Sequence, residues 1–157
     1  MIENRESDRG LYAAADVADY ILKEMGTTSA MKLQKLVYYS QAWSLVWDER
    51  PLFNESIQAW KNGPVVPELF RQHRGQFLVH PGAFGGHPDR LDDDAKETIR
   101  SVIRYYGSQS AQWLSDLTHA EDPWVNARMG LDPNENSDVV IGLAALHEYY
   151  SGLQPSE

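Results

Sequence analysis

The sequence predicts a mainly α fold, a compact single-domain helical bundle of about five main helices with short helices and at most a small β-hairpin. Three observations lead there. Apolar residues recur at three- and four-residue spacing over five long stretches. Strand-like stretches do not alternate regularly with helical ones, which disfavours a doubly wound parallel sheet. A chain of 157 residues, 42% hydrophobic and 24% charged, suits one domain with one core rather than disorder.

The elements follow in order. Residues 1–10 read as a charged flexible leader, 11–151 as the domain, and 152–157, with Pro155, as a flexible tail. A first helix runs from about Ala13 to Met25, with Val17, Ile21 and Met25 four apart and Gly26 as stop. The second, from about Ala30 to Trp47, starts behind Ser29 as cap. It is apolar nearly all round, so it belongs at the centre, packed on several sides. Its narrow polar stripe carries Gln34 and Gln41, with Tyr38 and Leu45 alongside.

Pro51 and Asn54 break the pattern. Ile57 to Lys61 alternates as a short strand, and Gly63-Pro64 reads as a turn. Pro67 suits the first turn of a short helix through Arg71 that fades near Gly75, with Glu68 favoured there by the helix dipole. His80 to Arg90, HPGAFGGHPDR, is a loop. A helix follows over about Asp92–Tyr106, its three leading aspartates complementing the dipole and Gly107 ending it. Ser110 to Leu117 is helical. Asp122 caps a short helix opened by Pro123. Gly130 to Asn136 is a polar loop. The last helix spans about Ser137–Tyr150, with Val139, Leu143, Leu146 and Tyr150 inward.

Composition excludes several functions. With no cysteine there are no disulfides, zinc–thiolate sites, iron–sulfur clusters or thiol nucleophiles. No apolar run reaches the roughly 18 residues of a membrane helix, and the N-terminus lacks a signal core. A cytoplasmic location without a membrane partner follows as the expectation. Fourteen basic against twenty-three acidic residues give a net charge of −9, which argues against nucleic-acid binding. The charge is uneven. Residues 31–80 carry six basic and four acidic residues, whereas 81–157 carry five and thirteen. A mildly basic middle framed by acid could orient a charged protein partner.

Catalytic signatures are absent. There is no G-x-S-x-G, P-loop, G-x-G-x-x-G or H-E-x-x-H. His73, His80 and His87 lack convergent carboxylates, so no metal or other cofactor is assigned. His119-Ala120-Glu121-Asp122 could resemble acid–base machinery. Helix-end roles explain it better, with Asp122 as cap and His119 protonated against the dipole. The chain is therefore read as a non-enzyme. Five tryptophans, Trp43, Trp47, Trp60, Trp113 and Trp124, divide between core and interface, most of them core. Trp60, opposite Ile57 and Ala59 on an edge-like strand, is the first interface candidate.

Three blocks carry a family resemblance. They are Met31-Lys32-Leu33-Gln34-Lys35-Leu36-Val37 through Tyr39 to Trp43, then Ala59-Trp60-Lys61-Asn62-Gly63-Pro64-Val65-Val66-Pro67, and Thr118-His119-Ala120-Glu121-Asp122-Pro123-Trp124. Together they resemble Panacea-domain proteins, the SocA-like antitoxins. Ala30 stands where that family often has proline, and the glycine-rich loop is longer and more His-rich than expected. The resemblance implies a Panacea-like fold and an antitoxin of a bacterial or phage toxin–antitoxin pair. It would neutralise a cognate toxin, encoded nearby, by direct binding and occlusion. The alternatives are a proteolytic adaptor presenting a protein to a ClpXP-type protease ATPase or, less favoured, a small acid–base enzyme. Lys35, Tyr39, Trp43, Gly63, Pro64, Val65, Pro67, Asp122, Pro123 and Trp124 match family motifs and read as structural. Trp60, Lys61, Glu68, Tyr38 and Gln41 are the candidate partner contacts.

Overall fold

The computed structural model describes residues 10–153. The expected leader, apart from Gly10, and the expected tail beyond Leu153 lie outside them. The described residues form seven α-helices and two small antiparallel sheets. Helix α1 spans Ala14–Met25, strand β1 Thr28–Ser29 and helix α2 Ala30–Trp47. Strands β2 (Ile57–Trp60) and β3 (Gly63–Val65) make a hairpin, followed by α3 (Pro67–His73) and β4 (Leu78–Val79). A 3-10 turn at Pro88–Arg90 precedes α4 (Asp93–Tyr106), α5 (Ala111–His119) and α6 (Asp122–Ala127). Strand β5 (Val140–Ile141) and helix α7 (Leu143–Leu153) complete the order.

Helix α2 is the axis. Ser29 Oγ accepts from Lys32 N at 3.2 Å and caps it. Fourteen of its 18 residues are buried, because α1, α4, α5, α7 and β3 pack around it. A helix enclosed on all sides must satisfy its polar side chains internally. Ser40 donates to Leu36 O and Ser44 to Arg50 O. Gln41 Oε1 accepts from Leu52 N at 2.7 Å while its Nε2 donates to Phe53 O at 2.9 Å. Gln34 repeats the device one heptad earlier, accepting from Val66 N at 2.9 Å and donating to Val66 O at 3.3 Å. Each side-chain amide thus stands in for a strand's peptide group and ties an irregular segment to the axis.

Several boundaries depart from the sequence reading. The hairpin turn falls at Lys61-Asn62, and Gly63 and Pro64 are strand residues opposite Trp60 and Ala59. Pro64 is tolerated because β3 is an edge strand in the order β3-β2-β5, where a missing donor costs little. The last helix starts at Leu143 rather than Ser137. Val140 and Ile141 pair with Gln58 and Ile57 instead. Val139 and Leu143 are accordingly exposed, whereas Leu146 and Tyr150 are buried as expected. Asp122 is the first residue of α6, and Glu121 occupies the cap position. Helix α7 continues through Gly152 and Leu153.

Candidate functional site

Between the hairpin, the start of α2, α3 and the start of α5 lies a cavity of about 710 Å³. That volume is in the range of small-ligand sites. Its walls are mainly apolar. Trp60 and Phe70 meet edge to face, with ring centroids 4.8 Å apart. Met31 and Phe77 stand at its mouth, and Phe77 is 80% exposed. Leu78, beside Phe77, is also exposed and pairs with Ser29 across the small sheet.

The buried end is polar. Gln34, Lys35 and His73 line it. Gln34 Nε2, its oxygen committed to Val66 N, donates to His73 Nε2 at 3.0 Å. That bond requires a lone pair on His73 Nε2, hence a neutral ring. Burial, together with repulsion from Lys35, holds the His73 pKa below its ordinary value. Lys35 is 1% exposed. Burial lowers its pKa to about 8, because an ammonium loses hydration there. Among the described residues it has neither a carboxylate partner nor a hydrogen-bond acceptor. Its amine end runs beneath Gly63. A Cβ built at position 63 would collide with Lys35 Cε and lie 3.1 Å from Nζ. Gly63 also has φ +124°, a region L side chains avoid, so both space and backbone call for glycine.

The five candidate contacts separate. Trp60 is half-buried, and Lys61 and Glu68 are exposed. Trp60 and Lys61 line the cavity, whereas Glu68 sits on α3. Tyr38 and Gln41 are interior, each 1% exposed, and this corrects their reading as surface contacts. On a helix packed all round, a polar stripe has no solvent side. Gln41 holds Leu52 and Phe53, and Tyr38 bonds Tyr150 at 2.9 Å.

Glu121 belongs to that interior network. Its Oε1 accepts from Tyr39 OH at 2.8 Å and Tyr150 OH at 2.6 Å. Since the Tyr150 proton points to Glu121, Tyr38 is the donor to Tyr150. Burial raises the Glu121 pKa, and the two phenol bonds pull it back. His119 points elsewhere, stacking on Trp124 at 4.0 Å, and Asp122 is exposed. No hydrogen bond joins His119, Glu121 and Asp122 among the described residues. Burial and the nearby Lys35 lower the His119 pKa, and its Nε2 is buried with no hydrogen-bond partner among the described residues.

The remaining motif residues hold the frame. Tyr39 stacks on Tyr106 at 4.1 Å, and Trp43 donates to Tyr106 OH at 3.0 Å. Trp124 donates to Trp60 O at 2.8 Å, so α6 reaches the hairpin that walls the cavity. Val65 lines the cavity from β3. Pro67 and Pro123 stand in the first turns of α3 and α6. Of the five tryptophans only Trp43 is buried. Trp47, the last residue of α2, and Trp113, on the solvent side of α5, are exposed, and Trp60 and Trp124 are half-buried.

Sequence reading missed two features. The buried carboxylates of Asp16 and Asp19 fasten the His80–Arg90 loop. Asp19 accepts from Phe84 N at 3.3 Å and Gly86 N at 2.6 Å, and Asp16 accepts from His87 N at 2.7 Å. Their i, i+3 spacing on the face of α1 beside Val17 was the available signal. The second is Arg128, buried without a carboxylate. It donates to Ala59 O at 2.9 Å and to carbonyls of Asp132 and Glu135, binding the polar loop to β2.

Comparison with known proteins gives concordant matches. The family model described as antitoxin SocA-like, Panacea domain, matches residues 33–125, more than half of the chain. The antitoxin SocA of Caulobacter vibrioides (strain NA1000 / CB15N) is 34% identical over 109 residues. That alignment covers 61% of this chain and 57% of the relative, so little more than half of the relative's length is spanned. No solved structure matches.

Proposed function

The chain belongs to the SocA-like, Panacea-domain antitoxin family, and from that premise we propose that it neutralises a protein toxin by binding it and covering its working surface. The cognate toxin is the product of a neighbouring gene, and the encounter takes place in the cytoplasm. No described helix is long and apolar enough to cross a membrane. The observation that carries the proposal is the pair of large exposed apolar side chains that line the cavity, Met31 and Phe77, with exposed Leu78 next to Phe77 in the chain. An exposed apolar patch with a polar rim is what a protein-binding surface requires. Trp60 supplies an aromatic anchor, while Lys61 and Glu68 supply charges of opposite sign to set orientation. About 800 Å² of this chain's surface would suffice for a stable complex.

The test is co-expression with the adjacent gene product in a bacterial host. Growth arrest by that product alone, relieved by this chain, is the expected result. A harmless neighbour, or toxicity that persists with this chain present and soluble, sinks the proposal.

A further inference from the structure

Lys35 is the unusual group of this molecule. Beside it, Gln34 is committed to Val66 and His73, and His73 Nε2 accepts from Gln34. Among the described residues nothing receives the donors of Lys35, which stands almost fully buried against a mainly apolar space. An ammonium without a counter-ion in such a place is costly, and an anion entering the cavity removes that cost. The ligand's chemistry follows from the lining. One compact cation at the closed end matches one anionic group. A phosphate would need several converging donors, but the Gln34 amide is occupied, His73 Nε2 is an acceptor, and Lys61 stands exposed at the rim. The walls of Trp60, Phe70 and Met31 match an apolar body.

We propose that this cavity is a binding site for a carboxylate on an apolar body the size of an aromatic ring. The carboxylate seats on Lys35 Nζ and the body rests against Trp60 and Phe70. The same chemistry is offered by a free aromatic acid and by the C-terminal residue of a polypeptide. The proposal goes beyond the antitoxin reading and does not rest on it, because the purified chain alone is tested.

Isothermal titration calorimetry on the full chain decides it, with 3-phenylpropionate against its neutral amide. The acid is expected to bind at least about tenfold more tightly than the amide, the equivalent of one good charged contact. Lys35→Met, its fold checked by circular dichroism, is expected to erase that preference. Trp60→Ala is expected to weaken acid and amide alike and leave the preference intact. The second arm uses an N-acetylated tripeptide ending in phenylalanine, with a free or an amidated C-terminus. Tighter Lys35-dependent binding of the free-ended peptide than of 3-phenylpropionate assigns the site to a polypeptide end, and the reverse order assigns it to a free acid. The proposal is overturned if neither acid binds at millimolar concentration, if acid and amide bind equally, or if the preference survives in Lys35→Met.

Discussion

Lys35 occupies the space that a side chain at position 63 would need, so the buried ammonium and Gly63 depend on each other. The amine reaches the cavity only because the hairpin strand above it carries no Cβ.

Removing that charge is expected to stabilise the protein. The Lys35 pKa falls from 10.5 to about 8 on folding, a cost of about 3 kcal/mol below pH 8. Lys35→Met, similar in shape and uncharged, should therefore gain about 2–3 kcal/mol at pH 7 by urea unfolding. Between pH 8 and 10.5 the unfolded chain holds more protons at this site than the folded one. Wild-type stability at this site accordingly rises with pH there, and the variant's advantage shrinks. A pH-independent difference would show that the charge is not its source.

Gln41→Leu removes the acceptor for Leu52 N and the donor for Phe53 O, both buried. Each orphaned group costs about 1–3 kcal/mol, so thermal melting should fall by several degrees or more.

Tyr39→Phe and Tyr150→Phe each take one phenol from Glu121. Bonds to a charged acceptor are worth about 1.5–3 kcal/mol each. Because both phenols serve one oxygen, the double variant should depart from additivity, which a double-mutant cycle measures. Strict additivity would show that they act independently.

Asp19→Ala frees the amides of Phe84 and Gly86. Hydrogen exchange over residues 82–87 should accelerate by about tenfold or more, while α2 keeps its protection. An unchanged loop would mean that Asp16 alone suffices to hold it.

Phe77→Asp should leave stability within about 0.5 kcal/mol, since the side chain is 80% exposed. If Phe77 anchors the toxin, rescue in the co-expression assay should fail even though the variant accumulates as soluble protein. Full rescue by the variant moves the interface elsewhere.

The sequence by itself determined the mainly α class, the limits of α2, the cap at Ser29, and the family. These depend on short-range spacing, on capping chemistry or on contiguous motifs. Tertiary structure decided that the polar stripe of α2 is buried. Periodicity marks Gln34, Tyr38 and Gln41 as a stripe but is blind to what covers it, and here α3, the Leu52-Phe53 segment and α7 do. Likewise Val140 and Ile141, which form β5, fit a helical period as well as an extended one, and only the free edge of β2 selects the extended form. The cavity was invisible for the same reason: Lys35, Trp60, His73 and Phe77 are far apart in the chain, and what unites them is the empty volume they enclose.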